Sequence, residues 1–215
     1  MTLPRFEERY AAFNKTSGYK ATNEEPETMR KMLGTRHFKK SGGISSSGEI
    51  PLFVLLPRSA EVVVVDHAYY SLGAAFIKAA MIALAGAKAK KYLLETTVVN
   101  YHAAPSTNLE ALMKEAVELL PDVLKPHAKL GEYDLSSIKK TWSLIPDSVF
   151  PVIQKRLDRL LMIHGDMSDL APGEFDLLYI SNLFDHTNRT TKIPKFPEIT
   201  PLVNVGKHIL EAGGE

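Results

Sequence analysis

The chain has 215 residues, 45% of them hydrophobic and 24% charged, which is an ordinary balance for one substantial globular domain. It contains no cysteine, so disulfides, thiolate metal sites and cysteine nucleophiles are excluded. The formal net charge of +1 is too small to attract nucleic acid electrostatically, and we predict no nucleic-acid partner. The apolar stretch 72–87 is interrupted by Lys78, and residues 1–10 lack the apolar core of a secretory signal. We therefore expect a cytoplasmic protein without a membrane span.

Residues 1–36 are polar, and their pattern predicts a helical cap over the main domain. Phe6, Tyr10 and Phe13 are spaced to lie on one face of a helix. A second helix is expected to begin near Asn23 and to end at Gly34. The alternative is that this segment is a loosely attached tail.

From residue 37 onwards, strand-like and helix-like segments alternate. Residues 37–44 are predicted to form the first strand, and 45–49 form a turn. The four successive valines within 61–66 mark a strand that is buried on both faces, as in a parallel sheet covered by helices. The small and apolar residues of 71–85 predict a helix that packs against this sheet.

Residues 87–159 are predicted to be a helical insertion in the same domain. The clearest element in it is an amphipathic helix over 108–120. Two further helices are expected at 136–142 and 147–157, and segment 91–99 fits a helix or a strand.

The strand pattern returns at 160–164 and at 175–180, and a helix is expected over 202–210. We therefore predict an α/β fold for residues 37–215, with a Rossmann-like, doubly wound and mainly parallel sheet. The chain stops where a fifth parallel strand would begin, so the C-terminal strands of such a sheet are expected to be missing. A truncated chain, a missing C-terminal segment or a homo-oligomer would account for that.

Polar residues follow the carboxyl ends of the predicted strands. Parallel strands bring these ends to one edge of the sheet, where α/β proteins bind ligands. Asp66 lies there at the end of a strand, where a carboxylate can accept hydrogen bonds from ribose hydroxyls. The alternative is an ordinary serine turn and an Asp66 that only caps the next helix. The residues whose backbone N–H groups are expected to face an anionic ligand are Ser45, Ser46, Ser47, Gly48 and Glu49.

Two separated blocks resemble the class I S-adenosylmethionine-dependent transferases. The block GISSSGEIPLFVLLPRSAEVVVVDHAYYSL is similar to their first two strands, with a small-residue loop and then an acid. The block HGDMSDLAPGEFDLLYISNLFDH is similar to their next two strands. Within this superfamily, residues 37–86 and 160–214 resemble the aminocarboxypropyl transferases of betaine-lipid synthesis. The resemblance implies S-adenosylmethionine as the cofactor and a small molecule or a lipid as the acceptor.

The resemblance also implies roles for individual residues. The turn 45–49 would contact the methionine part of the cofactor, Asp66 would hold the ribose hydroxyls, and His67 would lie beside the adenosine. The further contacts that it implies follow the third and fourth strands: Asp166 and Met167 at the adenine, and Ser181 and Asn182 near the sulfonium.

Asp185 and His186 have the composition of an acid–base pair, and we predict them as catalytic because histidine titrates near neutral pH. The alternative is a polar pair at the end of a strand. Tyr69 and Tyr70 could stack on a base or orient an acceptor, but we favour helix packing. No histidine spacing matches a zinc motif such as H-E-x-x-H, so no metal is predicted.

The predicted function is the transfer of a methyl group from S-adenosylmethionine to an unknown acceptor. The leaving thioether is neutral, so catalysis would come mainly from alignment of the acceptor with the carbon under attack. Transfer of the 3-amino-3-carboxypropyl group is one alternative, and a non-catalytic protein that binds the cofactor or a partner is another. The single glycine of the turn, in place of G-x-G-x-x-G, disfavours a nicotinamide-dependent oxidoreductase.

Overall fold

The structure is a computed structural model that describes residues 1–9, 25–45, 47–99, 102–165, 174–179, 199–201 and 209–212. The strands in these residues are β1 (Arg5–Glu8), β2 (Phe38–Ile44), β3 (Ser59–Asp66), β4 (Thr97–Val99), β5 (His102–Ala104), β6 (Leu160–His164), β7 (Leu177–Tyr179), β8 (Ile199–Pro201) and β9 (Ile209–Ala212). The helices are α1 (Pro26–Leu33), α2 (Tyr69–Ala85), α3 (Ala87–Leu94), α4 (Thr107–Glu118), α5 (Glu132–Ser143) and α6 (Val149–Gln154). Shorter helical turns lie at Pro51–Leu55, Lys125–His127 and Leu157–Arg159.

The main sheet has the strand order β1-β6-β3-β2-β7-β9-β8. The five strands from β1 to β7 in this order are parallel, which confirms the predicted α/β, Rossmann-like architecture. Along the chain, β2 is followed by β3 and then β6 on one side, and β7 later pairs with the other side of β2. The strand order therefore reverses between β2 and β7.

The N-terminal segment differs from the predicted helical cap. Helix α1 lies where a helix is expected, but Arg5–Glu8 is an edge strand that pairs in parallel with β6, with Phe6 opposite Met162. The helix predicted at Phe6 is therefore wrong, and its other two members, Tyr10 and Phe13, lie outside the described residues. The open edge of β6 offers backbone partners, and this pairing outweighs the helical spacing of a short segment.

The C-terminal segment also differs from the prediction. Strand β9 pairs antiparallel with β7, with Ile209 opposite Tyr179, and β8 pairs with β9. The prediction that the sheet has no strands after β7 is therefore corrected, because two antiparallel strands extend it. The helix predicted over 202–210 is wrong at Ile209 and Leu210, where the backbone pairs with β7 and β8 instead.

The region 87–159 is mainly helical, as predicted, with α3, α4, α5 and α6. Segment 91–99 divides between the end of α3 at Leu94 and strand β4, which forms an antiparallel hairpin with β5. Within the described residues, no single helix has the length and apolar character to cross a membrane. Helices α2 and α3 meet that test only as a pair that bends by 111° between them.

The core lies between the sheet and helix α2, whose buried residues occupy nearly its whole length. Phe53, Trp142 and Phe150 meet there as an aromatic cluster, with ring centroids 5.4 to 5.5 Å apart. All three side chains are fully buried. Burial of a large apolar side chain stabilises the fold by about 1.5–3 kcal/mol. The cluster therefore fixes helices α5 and α6 of the insertion to the helical turn Pro51–Leu55, which precedes β3.

Strands β2 and β7 are aligned at their amino ends by Asp176. Its carboxylate Oδ2 accepts the backbone N–H groups of Lys39 and Lys40 at 2.6 and 3.0 Å, and its own N–H donates to the Lys40 carbonyl at 2.9 Å. A buried hydroxyl pair, Ser41 and Ser59, links β2 to β3 at 2.6 Å. Both contacts lie at the amino edge of the sheet and set the register of β2.

We predict that Gly43→Ala destabilises the protein, because a Cβ at Gly43 would overlap the backbone carbonyl of Tyr179 on β7. The free energy of unfolding in urea should fall by about 1–3 kcal/mol. The matched control is Gly131→Ala, where the nearest contact of the new Cβ is Asp134 Oδ2 at 3.4 Å. Equal losses in the two variants would contradict the close approach of β2 and β7.

Candidate functional site

The carboxyl ends of β2, β3 and β6 are held side by side by backbone hydrogen bonds. The Ser45 N–H donates to the Val65 carbonyl at 3.0 Å, and the Gly165 N–H donates to the Asp66 carbonyl at 3.0 Å. The turn that follows β2 therefore lies beside Asp66, at the edge where the strand order reverses. Open α/β sheets bind ligands at such a reversal.

The turn 45–49 contains two successive residues with left-handed backbone, Ser47 at φ 73° and Gly48 at φ 97°. The Gly48 N–H closes the turn on the Ser45 carbonyl at 2.8 Å. A Cβ at Gly48 would lie 2.7 Å from both Cα and Cβ of Ala75 in helix α2. Glycine is therefore needed here for the close packing of α2, whereas the sequence suggested the close approach of a ligand.

A buried ion pair lies beneath this turn. The Lys78 ammonium donates to Glu49 Oε1 at 2.5 Å and to the Ser47 carbonyl at 2.8 Å. The Ser47 hydroxyl donates to Glu49 Oε2 at 2.6 Å. All three side chains are fully buried. Burial lowers the pKa of Lys78, and the neighbouring Glu49 carboxylate opposes that shift. The Glu49 carboxylate is thus engaged inside the protein.

Asp66 lies at the end of β3 with 8% of its surface exposed. Its Oδ1 accepts the N–H of Ala68 at 2.9 Å in an Asx turn, and Ala68, the N-cap residue of helix α2, makes no side-chain capping bond. The His67 side chain is 44% exposed, with Nδ1 at 4.0 Å from Asp66 Oδ1. The strand end therefore presents a carboxylate and an imidazole side by side.

An aromatic column that the sequence did not predict lies at the ends of β1, β3 and β6. The Tyr69 ring stacks on His164 with centroids 3.9 Å apart and on His127 with centroids 5.2 Å apart. Tyr70 meets His127 edge-on at 4.9 Å. The Tyr69 hydroxyl donates to the Glu8 carboxylate of the edge strand. Helix packing, which we favoured for Tyr69, is confirmed by its 5% exposure.

The electrostatics of this column keep Tyr69 protonated. Burial, together with the hydrogen bond and the negative charge of Glu8, raises the pKa of Tyr69 to about 12. Burial lowers the pKa of His127. Within the described part of the chain, the Nδ1 atoms of His127 and His164 are buried and have no hydrogen-bond partner. Tyr69 is therefore a hydrogen-bond donor at neutral pH.

Several predicted site residues cannot be placed against this geometry. Strands β6 and β7, which precede most of them, lie where they are expected and end at His164 and Tyr179. The predicted residues that lie outside the described ones are Ser46, Asp166, Met167, Ser181, Asn182, Asp185 and His186. In the described ranges, no group of three or more histidine, aspartate or glutamate side chains converges as metal ligands would.

Sequence reasoning also missed residues that the structure brings to this edge. Lys78 interrupts an apolar stretch, and a lone cation in a helix buried on all sides requires a partner. That signal was available in the sequence. Glu8, His127 and His164 carried no comparable signal, because they belong to three separate segments that only the fold brings together.

Comparison of the chain with protein-family models, with curated proteins and with solved structures finds no match. The chemistry of the site is therefore inferred from its own residues. The Asp66 carboxylate suits hydroxyl donors, and the Ser45 hydroxyl is buried with no hydrogen-bond partner among the described residues. A polar ligand that carries hydroxyl groups fits both features.

We predict that Tyr69 makes stability depend on alkaline pH. Its pKa is raised in the folded protein from 10.0 to about 12, so its contribution is fully present below pH 10.0 and is lost as the pH rises toward about 12. Urea unfolding across this window should therefore show a steeper loss of stability in the wild type than in Tyr69→Phe. A Tyr92→Phe control in helix α3 should keep the wild-type slope. The same slope in Tyr69→Phe would contradict the role of this hydroxyl.

Proposed function

We propose that this protein binds S-adenosylmethionine at the carboxyl edge of its sheet and transfers a methyl group from the sulfonium to an acceptor. The observation that carries the proposal is the position of Asp66 at the end of β3, beside the turn 45–49 that follows β2, where the strand order reverses. A carboxylate next to a tight backbone turn supports the proposal, because it can accept hydrogen bonds from ribose hydroxyls. The absence of cysteine suits a reducing cytoplasm.

The described residues fit such a cofactor in two respects. A carboxylate accepts hydrogen bonds from two adjacent ribose hydroxyls, and Asp66 stands at the edge with Oδ1 already fixed by the Ala68 N–H. The buried Ser45 hydroxyl, which has no partner in the described ranges, can bond to the methionine part. In the proposal, the Glu49 carboxylate holds the turn from inside, and the turn supports the Ser45 hydroxyl at the edge of the site.

The cofactor supplies an electrophilic carbon and a neutral leaving group, so the protein's task is to align the acceptor and exclude water. Proposed contacts outside the described residues complete the site. In this proposal, the acceptor is a small molecule or a lipid, and Asp185 and His186 hold its proton. The proposed contacts near the adenine and the sulfonium are Asp166, Met167, Ser181 and Asn182.

We predict that S-adenosylhomocysteine binds and that NAD does not, as measured by titration calorimetry. Asp66→Asn should weaken binding of S-adenosylhomocysteine by about tenfold or more, because hydrogen bonds to a charged group contribute about 1.5–3 kcal/mol. Asp176→Asn is the matched control, since Asp176 makes a similar backbone contact at the opposite edge of the sheet. Its stability should fall while its affinity is retained.

Two results would contradict the proposal in different ways. If neither ligand binds the wild type, the proposal that the protein binds S-adenosylmethionine is wrong. Equal affinities in Asp66→Asn and the wild type would remove Asp66 from the site. Binding of NAD alone would favour an oxidoreductase.

The spent cofactor identifies which group is transferred, even before the acceptor is known. Methyl transfer leaves S-adenosylhomocysteine, whereas aminocarboxypropyl transfer leaves methylthioadenosine. We predict that the purified protein, incubated with S-adenosylmethionine and a mixed extract of metabolites and lipids, yields S-adenosylhomocysteine by mass spectrometry. Asp66→Asn should reduce the yield. Methylthioadenosine as the enzyme-dependent product would indicate aminocarboxypropyl transfer instead of methyl transfer. If the protein forms neither product, a non-catalytic binding protein is favoured.

A further inference from the structure

Lys78 is the most unusual side chain of helix α2. Its neighbours in the helix are almost all apolar and buried, and its own side chain is fully buried. Its ammonium donates to the Ser47 carbonyl and to the Glu49 carboxylate, which both belong to the turn after β2. The ammonium thus holds the turn at two points from below.

A buried ion pair is a poor device for stability alone. Removing two charges from water is costly, and well-packed apolar residues of similar volume often serve a protein's stability equally well. The pair also lies where the backbone is strained, because Ser47 has a β-carbon and adopts φ 73°. Such strain persists where the surroundings impose it, and it occurs most often at functional sites.

The geometry shows how the surroundings impose this strain. The Ser47 carbonyl is fixed by Lys78, the Ser47 hydroxyl by Glu49, and the Glu49 carboxylate in turn by Lys78. The three bonds form a closed ring around Ser47. Gly48 rests against Ala75, which lies on the same face of helix α2 as Lys78. A turn held in this way loses little conformational entropy when a ligand binds.

We infer that Lys78 is a positioning residue, which holds Ser47 and Gly48 in their left-handed conformation and so fixes the turn beside the ligand site proposed above. The inference rests on the proposed function for the ligand, but the clamping of the turn can be measured without one. Lys78 acts through Ser47 and Glu49, since its ammonium is buried beneath them.

The test is the double variant Lys78→Met/Glu49→Gln, which keeps the shapes of both side chains and removes both charges. Because the charges disappear together, no unpaired charge stays buried. The thermal midpoint should fall modestly, since the buried Ser47 carbonyl loses its donor. Hydrogen exchange of the Gly48 amide, which bonds to the Ser45 carbonyl, should nevertheless become at least about tenfold faster in the ligand-free protein. Affinity for S-adenosylhomocysteine should fall by about tenfold or more. Adding Ser47→Gly should recover part of it, because glycine enters the left-handed region without strain.

The matched control is Ser41→Ala/Ser59→Ala, which removes another buried polar pair of β2 but leaves the turn intact. It should change neither Gly48 exchange nor affinity. Wild-type exchange and affinity in a stable Lys78→Met/Glu49→Gln variant would overturn the inference. If the double variant does not fold, the triple variant Lys78→Met/Glu49→Gln/Ser47→Gly, in which the strain at residue 47 is relieved, replaces it: Gly48 exchange faster than in the wild type supports the inference, and wild-type exchange overturns it. If the wild type does not bind S-adenosylhomocysteine, the proposed function fails, while faster Gly48 exchange in the double variant still supports the clamp.

Discussion

The parallel pairing of β2 with β3 on one side and with β7 on the other is the constraint on which the rest of the structure depends. It requires the backbones to approach closely at Gly43, and Asp176 sets the register from the amino edge. Because β2 is central, the turn that leaves its carboxyl end must emerge beside the end of β3. The position of Asp66 next to 45–49 is therefore a consequence of strand order rather than of any local motif.

Helix α2 connects this edge to the core. Its first residue, Tyr69, carries the aromatic column, Ala75 supports Gly48, and Lys78 clamps the turn from below. The remaining residues of the helix, apart from Tyr70 and Ser71, are apolar or glycine and pack in the core. A single helix therefore sets the position of the turn and of the column, so that displacement of α2 would disturb both together. Because α2 is buried in the core, the hydrogen bonds of its few polar groups are stronger than they would be in water.

The part of the fold that was predictable is the part whose signal is local. Strand β6 was predicted over the residues where it occurs, and β3 was recognised from four successive valines with a polar residue at the strand's end. Both could be predicted because the apolar signal of a buried parallel strand lies in adjacent residues. Strands β1, β8 and β9 were missed, since a short strand in the outer part of a sheet is defined by its partners. The pairing of Lys78 with Glu49 was missed for a similar reason: 29 residues separate them, and only the packing of α2 on the turn brings them into contact.

The end of β3 is fixed on two sides, and this bears on what it can bind. Asp66 Oδ1 is held by the Ala68 N–H, and the next carbonyl, that of His67, lies 3.3 Å from Nε2 of His164. A carbonyl can only accept, so His164 donates from Nε2. His164 is itself held by its stacking on Tyr69, whose hydroxyl is bound to Glu8. The Asp66 carboxylate is thus oriented before any ligand arrives, which lowers the entropy lost on binding. A ligand bound to Asp66 would be connected to the edge strand β1 by this series of contacts.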